Sequence, residues 1–280
     1  PMQKYPMIAA RLLAEGTFTP ANFFAPQRLS EDEILTTHTQ RYWQHLKQQT
    51  LPAKDARAIG FEMTPRLVER ERVIAHGTYE CALFAKQFGV ALNIAGGTHH
   101  AFADHGEGFC VFNDVAVASN LLLARGQATQ ILTVDLDVHQ GNGTAHLMAN
   151  EPRVFTFSMH GAKNYPFRKQ ASDLDIDLPN ETGDEAYLAI LMDTLPRLIA
   201  KVKPDMLFYQ SAVDVLATDK LGKLALTRDG CAKRDAFVFS QAKAHGIPVA
   251  VVMGGGYSEN IDDVVEAHCN TFRMAKRLYE

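Results

Sequence analysis

Cysteine is scarce in this chain of 280 residues: the four present, Cys81, Cys110, Cys231 and Cys269, lie far apart and form no Cys-x-x-Cys pair. That spacing argues against a disulfide scaffold or a thiolate metal site, and the thiols read as reduced, mostly buried groups of a cytoplasmic protein. No apolar run approaches the roughly 20 residues that a membrane span needs, and the first residues do not read as a signal peptide. An excess of either charge is also lacking, since 28 Lys and Arg residues against 32 Asp and Glu leave a formal net charge of −4. Without a basic face, a grip on nucleic acid is not expected. The basic segment Arg273-Met274-Ala275-Lys276-Arg277 reads instead as a helix end that complements the helix dipole. Internal repeats, low-complexity tracts and Gly/Ser linkers are absent too, so residues 1–280 read as a single domain. With 46% hydrophobic content, a chain of this length can bury one large core. Oligomeric state has no signature here.

What is present is a series of short apolar runs that end in polar residues. Ile131-Leu132-Thr133-Val134, rich in β-branched side chains, reads as a strand buried on both faces. It closes in Asp135-Leu136-Asp137-Val138-His139, whose two carboxylates and imidazole alternate and so project to one side of an extended chain. Burying that many ionisable groups costs several kcal/mol each unless something pairs with them, and a metal ion compensates best. The bland alternative is a solvated loop just beyond the strand. Four further runs follow the same design. The run at 90–95 ends in Gly96-Gly97-Thr98-His99-His100, and that at 154–157 ends in Ser158-Met159-His160. The run at 206–209 leads through Gln210 and Ser211 to Asp214, and that at 248–253 ends in Gly254-Gly255-Gly256-Tyr257. Chemically capable residues thus gather at the carboxyl ends of five predicted strands, the edge where open α/β sheets bind ligands.

Residues 1–60 look irregular and partly helical, with Ser30 capping one helix and Glu33 completing its capping box. Helical spacing predicts further helices over 66–88, 114–124, 184–203, 228–244 and 262–278, with Pro196 expected to kink or divide the third. Strands alternating with helices predict an α/β fold, a mostly parallel central sheet with helices over both faces.

Asp137 and His139 project together from one strand end, and Asp214 can supply a third metal ligand from another. An Asp/His/Asp set suits Zn²⁺ and tolerates Fe²⁺, and three protein ligands describe a catalytic site rather than a structural one. Two carboxylates nearly cancel the charge of the ion, so such a site needs a separate general base. The His99-His100 pair supplies one, with Asp135 and Asn142 available to fix the tautomers. His38, His45, His76, His105, His146, His245 and His268 read as satisfied core or surface groups. Tyr257, after three glycines, is a phenol able to donate to a developing oxyanion. No Lys-Ser/Thr follows those glycines, so a nucleotide loop is not expected.

Gly96-Gly97-Thr98-His99-His100-Ala101, Gly108-Phe109-Cys110-Val111-Phe112-Asn113-Asp114, the block from Asp135 to Thr144 and Gly254-Gly255-Gly256-Tyr257 together resemble the histone deacetylase superfamily. Asp214-Val215-Leu216 with Asp219-Lys220-Leu221-Gly222 is most similar to the class IV branch and its bacterial relatives. The resemblance implies a three-layer α/β/α fold of arginase/deacetylase type, with zinc held by Asp137, His139 and Asp214. It implies His100 as general base and acid, His99 as its electrostatic partner and Tyr257 as carbonyl polariser. Phe109 and Tyr165 would wall an acyl-lysine tunnel, with Gly108 and Gly255 among the substrate-contacting positions. A structural potassium ion would take Asp135, Ser158 and the main-chain carbonyls of Asp137, His139 and Met159.

This chain departs from the pattern at three places. Gln140 and Asn142 stand where class I members carry His and Asp; Asn142 can orient His100 but adds no charge, which predicts a less basic histidine. Ala212-Val213 replaces the usual Gly-x before Asp214, where close backbone approach is expected. Relatives carry a further segment ahead of the position of Pro1, so part of the rim is expected to come from outside these residues. The expected activity is hydrolysis of acetyl or longer acyl groups from the ε-amine of lysine in a protein or peptide. Rival readings are an acetylpolyamine or other small-amide hydrolase, a non-catalytic acyl-lysine binding module, and two-metal arginase-like chemistry, for which extra carboxylates are not apparent.

Overall fold

Strand residues that alternate between two apolar faces require a cover on each, and the chain supplies both. The computed structural model describes residues 2–280; Pro1 lies outside them. In chain order the elements are α1 (Lys4–Ala14), α2 (Glu31–Ile34), α3 (Gln40–Gln48), α4 (Ala53–Ile59), α5 (Pro65–Phe88), β1 (Val90–Leu92), α6 (Asp114–Ala124), β2 (Ile131–Asp135), α7 (Asn142–Met148) and β3 (Val154–Gly161). They continue as β4 (Leu174–Leu178), α8 (Asp184–Val202), β5 (Met206–Gln210), α9 (Arg228–Ala244), β6 (Val249–Val252) and α10 (Ile261–Tyr279). Among the described residues the strands form one all-parallel sheet in the order β1-β6-β5-β2-β3-β4.

Met206 and Phe208 of β5, with Ala250 and Val252 of β6, face the side covered by α5 and α6. Leu207, Tyr209, Val249 and Val251 face the other side, against α8, α9 and α10. This is the expected three-layer α/β/α arrangement, with a core on each face of the sheet. From β2 the chain moves outward through β3 to β4, then returns to place β5 on the opposite side of β2. That reversal opens a crevice between the carboxyl ends of β2 and β5, where parallel sheets hold their ligands.

Three details differ from the sequence expectations. Leu174-Asp175-Ile176-Asp177-Leu178 forms an additional edge strand, and its half-exposed alternation reads in sequence like a polar loop. Pairing with that strand extends β3 to Gly161, so Ser158, Met159 and His160 lie within the strand rather than beyond its end. Pro196 does not divide α8, which runs unbroken from Asp184 to Val202. In the C-terminal basic segment, Lys276 and Arg277 do occupy the last turn of α10, whereas Arg273 pairs with Glu15 and Glu266.

One buried ion pair ties the α9 layer to the crevice. Arg234 is fully buried, and its Nε donates to Asp235 Oδ1 over 2.9 Å. Its Nη1 donates to the carbonyl of Ala212 over 2.7 Å, two residues before Asp214. Thr271 Oγ1 completes the surroundings by donating to Asp235 Oδ2 over 2.6 Å. Removing one member of such a pair strands the other in an apolar core, at a cost of about 3–5 kcal/mol. Arg234→Ala is therefore expected to lower the unfolding free energy by about that amount in urea titrations. A loss below about 1 kcal/mol would show that the pair is not part of the framework.

Candidate active site

Four strand ends, those of β1, β2, β5 and β6, meet in the crevice. After β1, Gly96 and Gly97 adopt φ of +79° and +75°, and a Cβ on Gly97 would lie 2.5 Å from the nitrogen of Gly254. The β1 and β6 loops can approach so closely only through glycine. Asp114, at the start of α6, anchors the first loop by accepting from Gly97 N at 3.0 Å and Thr98 N at 2.8 Å. His99 and His100 follow directly.

After β2 and β5, Asp137, His139 and Asp214 converge, each offering a ligand atom within 4.8 Å of the others. His139 Nδ1 lies 3.0 Å from Asp137 Oδ1 and 3.2 Å from Asp214 Oδ2. The carboxylates are held from behind: Gly255 N donates to Asp137 Oδ2 at 2.9 Å, and Val138 N donates to Asp214 Oδ1 at 3.0 Å. Asp214 Oδ2 is buried, and His139 at 3.2 Å is not aligned to give it a hydrogen bond. A Cβ on Gly255 would sit 1.8 Å from that oxygen, so a glycine is needed where the β6 loop closes over the cluster. A buried carboxylate oxygen without a hydrogen bond, beside a second carboxylate and an imidazole, fits a divalent cation. The Ala212-Val213 departure is accommodated, because Gly254 faces Ala212 and Val213 N still donates to the Gly255 carbonyl at 3.0 Å.

Charge within the cluster follows from burial and proximity. Burial would raise Asp137, but His99 and His139 hold it well below the usual carboxylate range. Burial and the neighbouring Asp137 push Asp214 up to about 7. Burial disfavours charge on His139, yet Asp137 and Asp214 raise it to about 10. A cation bound among these groups would compete with protons for them.

The adjacent histidines sit in contrasting environments, with ring centroids 4.1 Å apart. His99 Nδ1 lies 2.7 Å from Asp135 Oδ2. Burial opposes its charge, but Asp135 and Asp137 outweigh it and raise His99 to about 9. His100 Nδ1 lies 2.6 Å from Asn142 Oδ1, which contributes no charge. Burial and the neighbouring His99 and His139 hold His100 well below the ordinary imidazole range. The expectation of a less basic His100 agrees with this.

A cavity of about 580 Å³ brings the predicted residues together, lined by His99, His100, Gly108, Phe109, Asp137, His139, Tyr165, Asp214, Gly255 and Tyr257. Asp135 and Asn142 stand behind the two histidines, and Asp135 pairs in register with Ser158 on β3. Phe109 adopts φ +66° and is 41% exposed at the mouth, 5.2 Å from the Phe61 ring and 6.1 Å from that of Tyr257. Tyr165 packs edge-on against His100 at 5.0 Å, so these two aromatic residues both line the cavity. Tyr257 is set by its main-chain N–H, which donates to Asp219 Oδ2 over 2.6 Å. Burial, together with Asp214 and Asp137, pushes its phenol well above the ordinary range, so it stays protonated and can donate.

Residues not anticipated from sequence also shape the cavity. Lys4 is buried with Ile8 and Leu12 along one stripe of α1, and its Nζ donates to the Gly254 carbonyl over 2.9 Å. Burial lowers it to about 8 despite the nearby Asp214, Asp137 and Asp219. A lysine in an otherwise apolar helical stripe is the signal that could have marked it. Behind the cavity, Gln210, which the sequence already placed between its run and Asp214, reaches Asp137 Oδ2 at 3.3 Å through its Nε2. His38, by contrast, is a structural histidine as expected, with its Nε2 accepting from Asn113 N at 3.1 Å.

Comparison with known proteins gives a consistent assignment. Residues 1–272 match the family described as the histone deacetylase domain. The chain is 43% identical to an uncharacterized protein of Picosynechococcus sp., over all of this chain and 93% of that protein. It is 28% identical to histone deacetylase 2 of Arabidopsis thaliana, over 94% of this chain and 70% of the relative. The identity to human histone deacetylase 1 is also 28%, over 95% of this chain and 58% of the relative.

The convergence of Asp137, His139 and Asp214 predicts about one divalent ion per chain. Elemental analysis after purification is expected to find it, and Asp214→Ala should lose most of it, because Asp214 is the cluster's one ligand from the β5 side. Unchanged metal content in that variant would contradict the assignment of the cluster.

Proposed function

The chain belongs to the histone deacetylase family, and we propose that it is a zinc-dependent hydrolase that removes acetyl or longer acyl groups from the ε-amine of lysine. The observation that carries this reading is the meeting of Asp137, His139 and Asp214 with His100 and Tyr257 around one cavity. The hard Asp/His/Asp donor set favours Zn²⁺, with Fe²⁺ as the alternative. An ion held there supplies Lewis acidity to a carbonyl oxygen and to water.

The chain's own residues account for the remaining requirements. With its Nδ1 proton directed at Asn142 Oδ1, His100 presents an Nε2 lone pair that accepts the proton of the attacking water. It then returns that proton to the departing amine. His99, paired with Asp135, places positive charge beside the developing negative charge. Tyr257 donates its phenolic hydrogen to the oxyanion. Phe109 and Tyr165 flank the alkyl chain of the substrate and exclude water from it.

Two features of the cavity bear on the substrate. Exposed Lys163 and Lys223 line it beside Phe167 and Leu221, which are 90% and 47% exposed. Ammonium groups there oppose a polyamine and suit an acyl-lysine presented on a peptide with apolar or acidic neighbours. The cavity also reaches Tyr5 and Ile74, which supports acyl groups longer than acetyl. We further propose a structural potassium ion at Asp135, Ser158 and the carbonyls of Asp137, His139 and Met159, supported by the register of Asp135 against Ser158. The four free, buried cysteines support a reducing, cytoplasmic setting.

Acetyl-lysine and long-acyl-lysine peptides, compared with acetylated polyamines by released amine, are expected to give the higher kcat/KM. A clear preference for the polyamines would replace this reading. Tyr257→Phe keeps the ring and removes only the donor, so turnover is expected to fall roughly 10²–10³-fold. Zinc content and peptide affinity should change far less, since the donor acts chiefly in the transition state. Near-normal single-turnover rates in this variant would mean that Tyr257 only packs over the loop.

A further inference from the structure

His100 can act as a base only if its cavity-facing nitrogen is unprotonated, and its tautomer is decided by the atom that Asn142 turns toward Nδ1. An asparagine side chain can turn either end. With Oδ1 toward the ring, the histidine proton sits on Nδ1 and Nε2 is free. With Nδ2 toward the ring, Nδ1 must accept, the proton moves to Nε2, and the base is lost. Electron density rarely distinguishes the two amide orientations; the hydrogen-bond partners do.

On the far side of Asn142 stands Glu107, whose Oε1 accepts from Asn142 Nδ2 over 2.6 Å. A carboxylate offers only lone pairs, so the opposite amide orientation would set Asn142 Oδ1 against a carboxylate oxygen. Burial and the nearby Glu107 carboxylate push the Tyr165 phenol up, and Tyr165 packs edge-on against His100. The loop itself is fixed. Glu107 forms an isolated bridge with Cys110, and the nitrogens of Gly108 and Phe109 donate to the carbonyls of Ala58 and Ile59. Gly108 is so close to the base that a Cβ there would lie 2.7 Å from His100 Cδ2. Glu107, Asn142 and His100 thus form a chain of hydrogen bonds beside the metal-ligand cluster, with Tyr165 packed against its last member.

We propose that Glu107 is a positioning residue: it locks the Asn142 amide with its oxygen toward His100 and so selects the Nδ1-protonated tautomer that the proposed hydrolysis requires. The inference rests on the functional reading above for its role in catalysis, but not for the geometry it asserts. Where a carboxylate at position 142 would fix the tautomer by itself, an asparagine needs a second, acceptor-only group behind it, and Glu107 supplies one.

Glu107→Gln tests this, because glutamine keeps the size of the side chain and can pair with either end of Asn142. In the zinc-loaded protein, ¹⁵N–¹H correlation spectra of the histidine side chains are expected to show His100 as the Nδ1-protonated tautomer. In Glu107→Gln the Nε2-protonated form should appear, and kcat on an acyl-lysine peptide should fall about tenfold, part of the 10²–10⁴-fold that a positioned base contributes. KM should stay near its original value. The exchanged pair, Glu107→Gln with Asn142→Asp, places an acceptor-only group next to His100 and a donor behind it. It should restore the Nδ1-protonated tautomer, which a merely structural Glu107 would not require. An unchanged tautomer in Glu107→Gln would overturn the proposal whatever happens to turnover. A changed tautomer upholds it even if no acyl-lysine is hydrolysed, in which case the functional reading falls instead.

Discussion

Three carboxylates, Asp135, Asp137 and Asp214, are buried side by side at the carboxyl edge of an apolar parallel sheet, and the surrounding architecture exists to satisfy them. Each oxygen left without a donor there costs far more than it would at the surface. Main-chain donors meet part of the demand: Gly255 N serves Asp137, Val138 N serves Asp214, and Asp137 N serves Asp135 at 3.1 Å. The glycines of the β6 loop make the first of these possible, because any side chain at Gly255 would strike Asp214. What the backbone cannot supply is positive charge. His99, His139, and the buried Lys4 above Gly254 supply some, and a cation held by Asp137, His139 and Asp214 would complete the balance.

The same economy of charge separates two neighbouring histidines. His99 faces a carboxylate and is driven toward its charged form; His100 faces an amide and is driven toward neutrality. Environments that push paired titratable groups in opposite directions are how one site holds an electrostatic partner and a base side by side. Replacing Asn142 by a carboxylate would blur that contrast. The asparagine preserves it but is ambiguous in orientation, and the carboxylate of Glu107 behind it removes the ambiguity.

Much of the site was legible in the sequence because it lies on strand ends, where an apolar run breaks off into residues of obvious chemistry. Asp135, Asp137 and His139 stood out because alternation at the end of a β-branched run allows few other readings, and Tyr257 because three glycines precede it. The helices at 114–124 and 228–244 are legible to their observed ends, each carrying a capping residue, Asn113 or Thr227, just ahead. β4 is not legible in the sequence, since an edge strand with acids at alternate positions has the composition of a loop. Lys4 and Glu107 are silent in the sequence for a different reason. Neither belongs to a motif, and each matters only through a partner distant in sequence, Gly254 for one and Asn142 for the other. Local patterns disclose which residues can do chemistry; the groups that orient them are disclosed by tertiary contact.

The central claim is that Asp137, His139 and Asp214 together bind the ion on which the chemistry depends. A crystal grown with zinc, with diffraction recorded on both sides of the zinc absorption edge, examines it directly. The expected result is a single anomalous peak in the crevice, about 2.0–2.2 Å from one oxygen of Asp137, one oxygen of Asp214 and a ring nitrogen of His139. A peak that lacks any one of these three ligands, or zinc held only elsewhere on the molecule, would contradict the account.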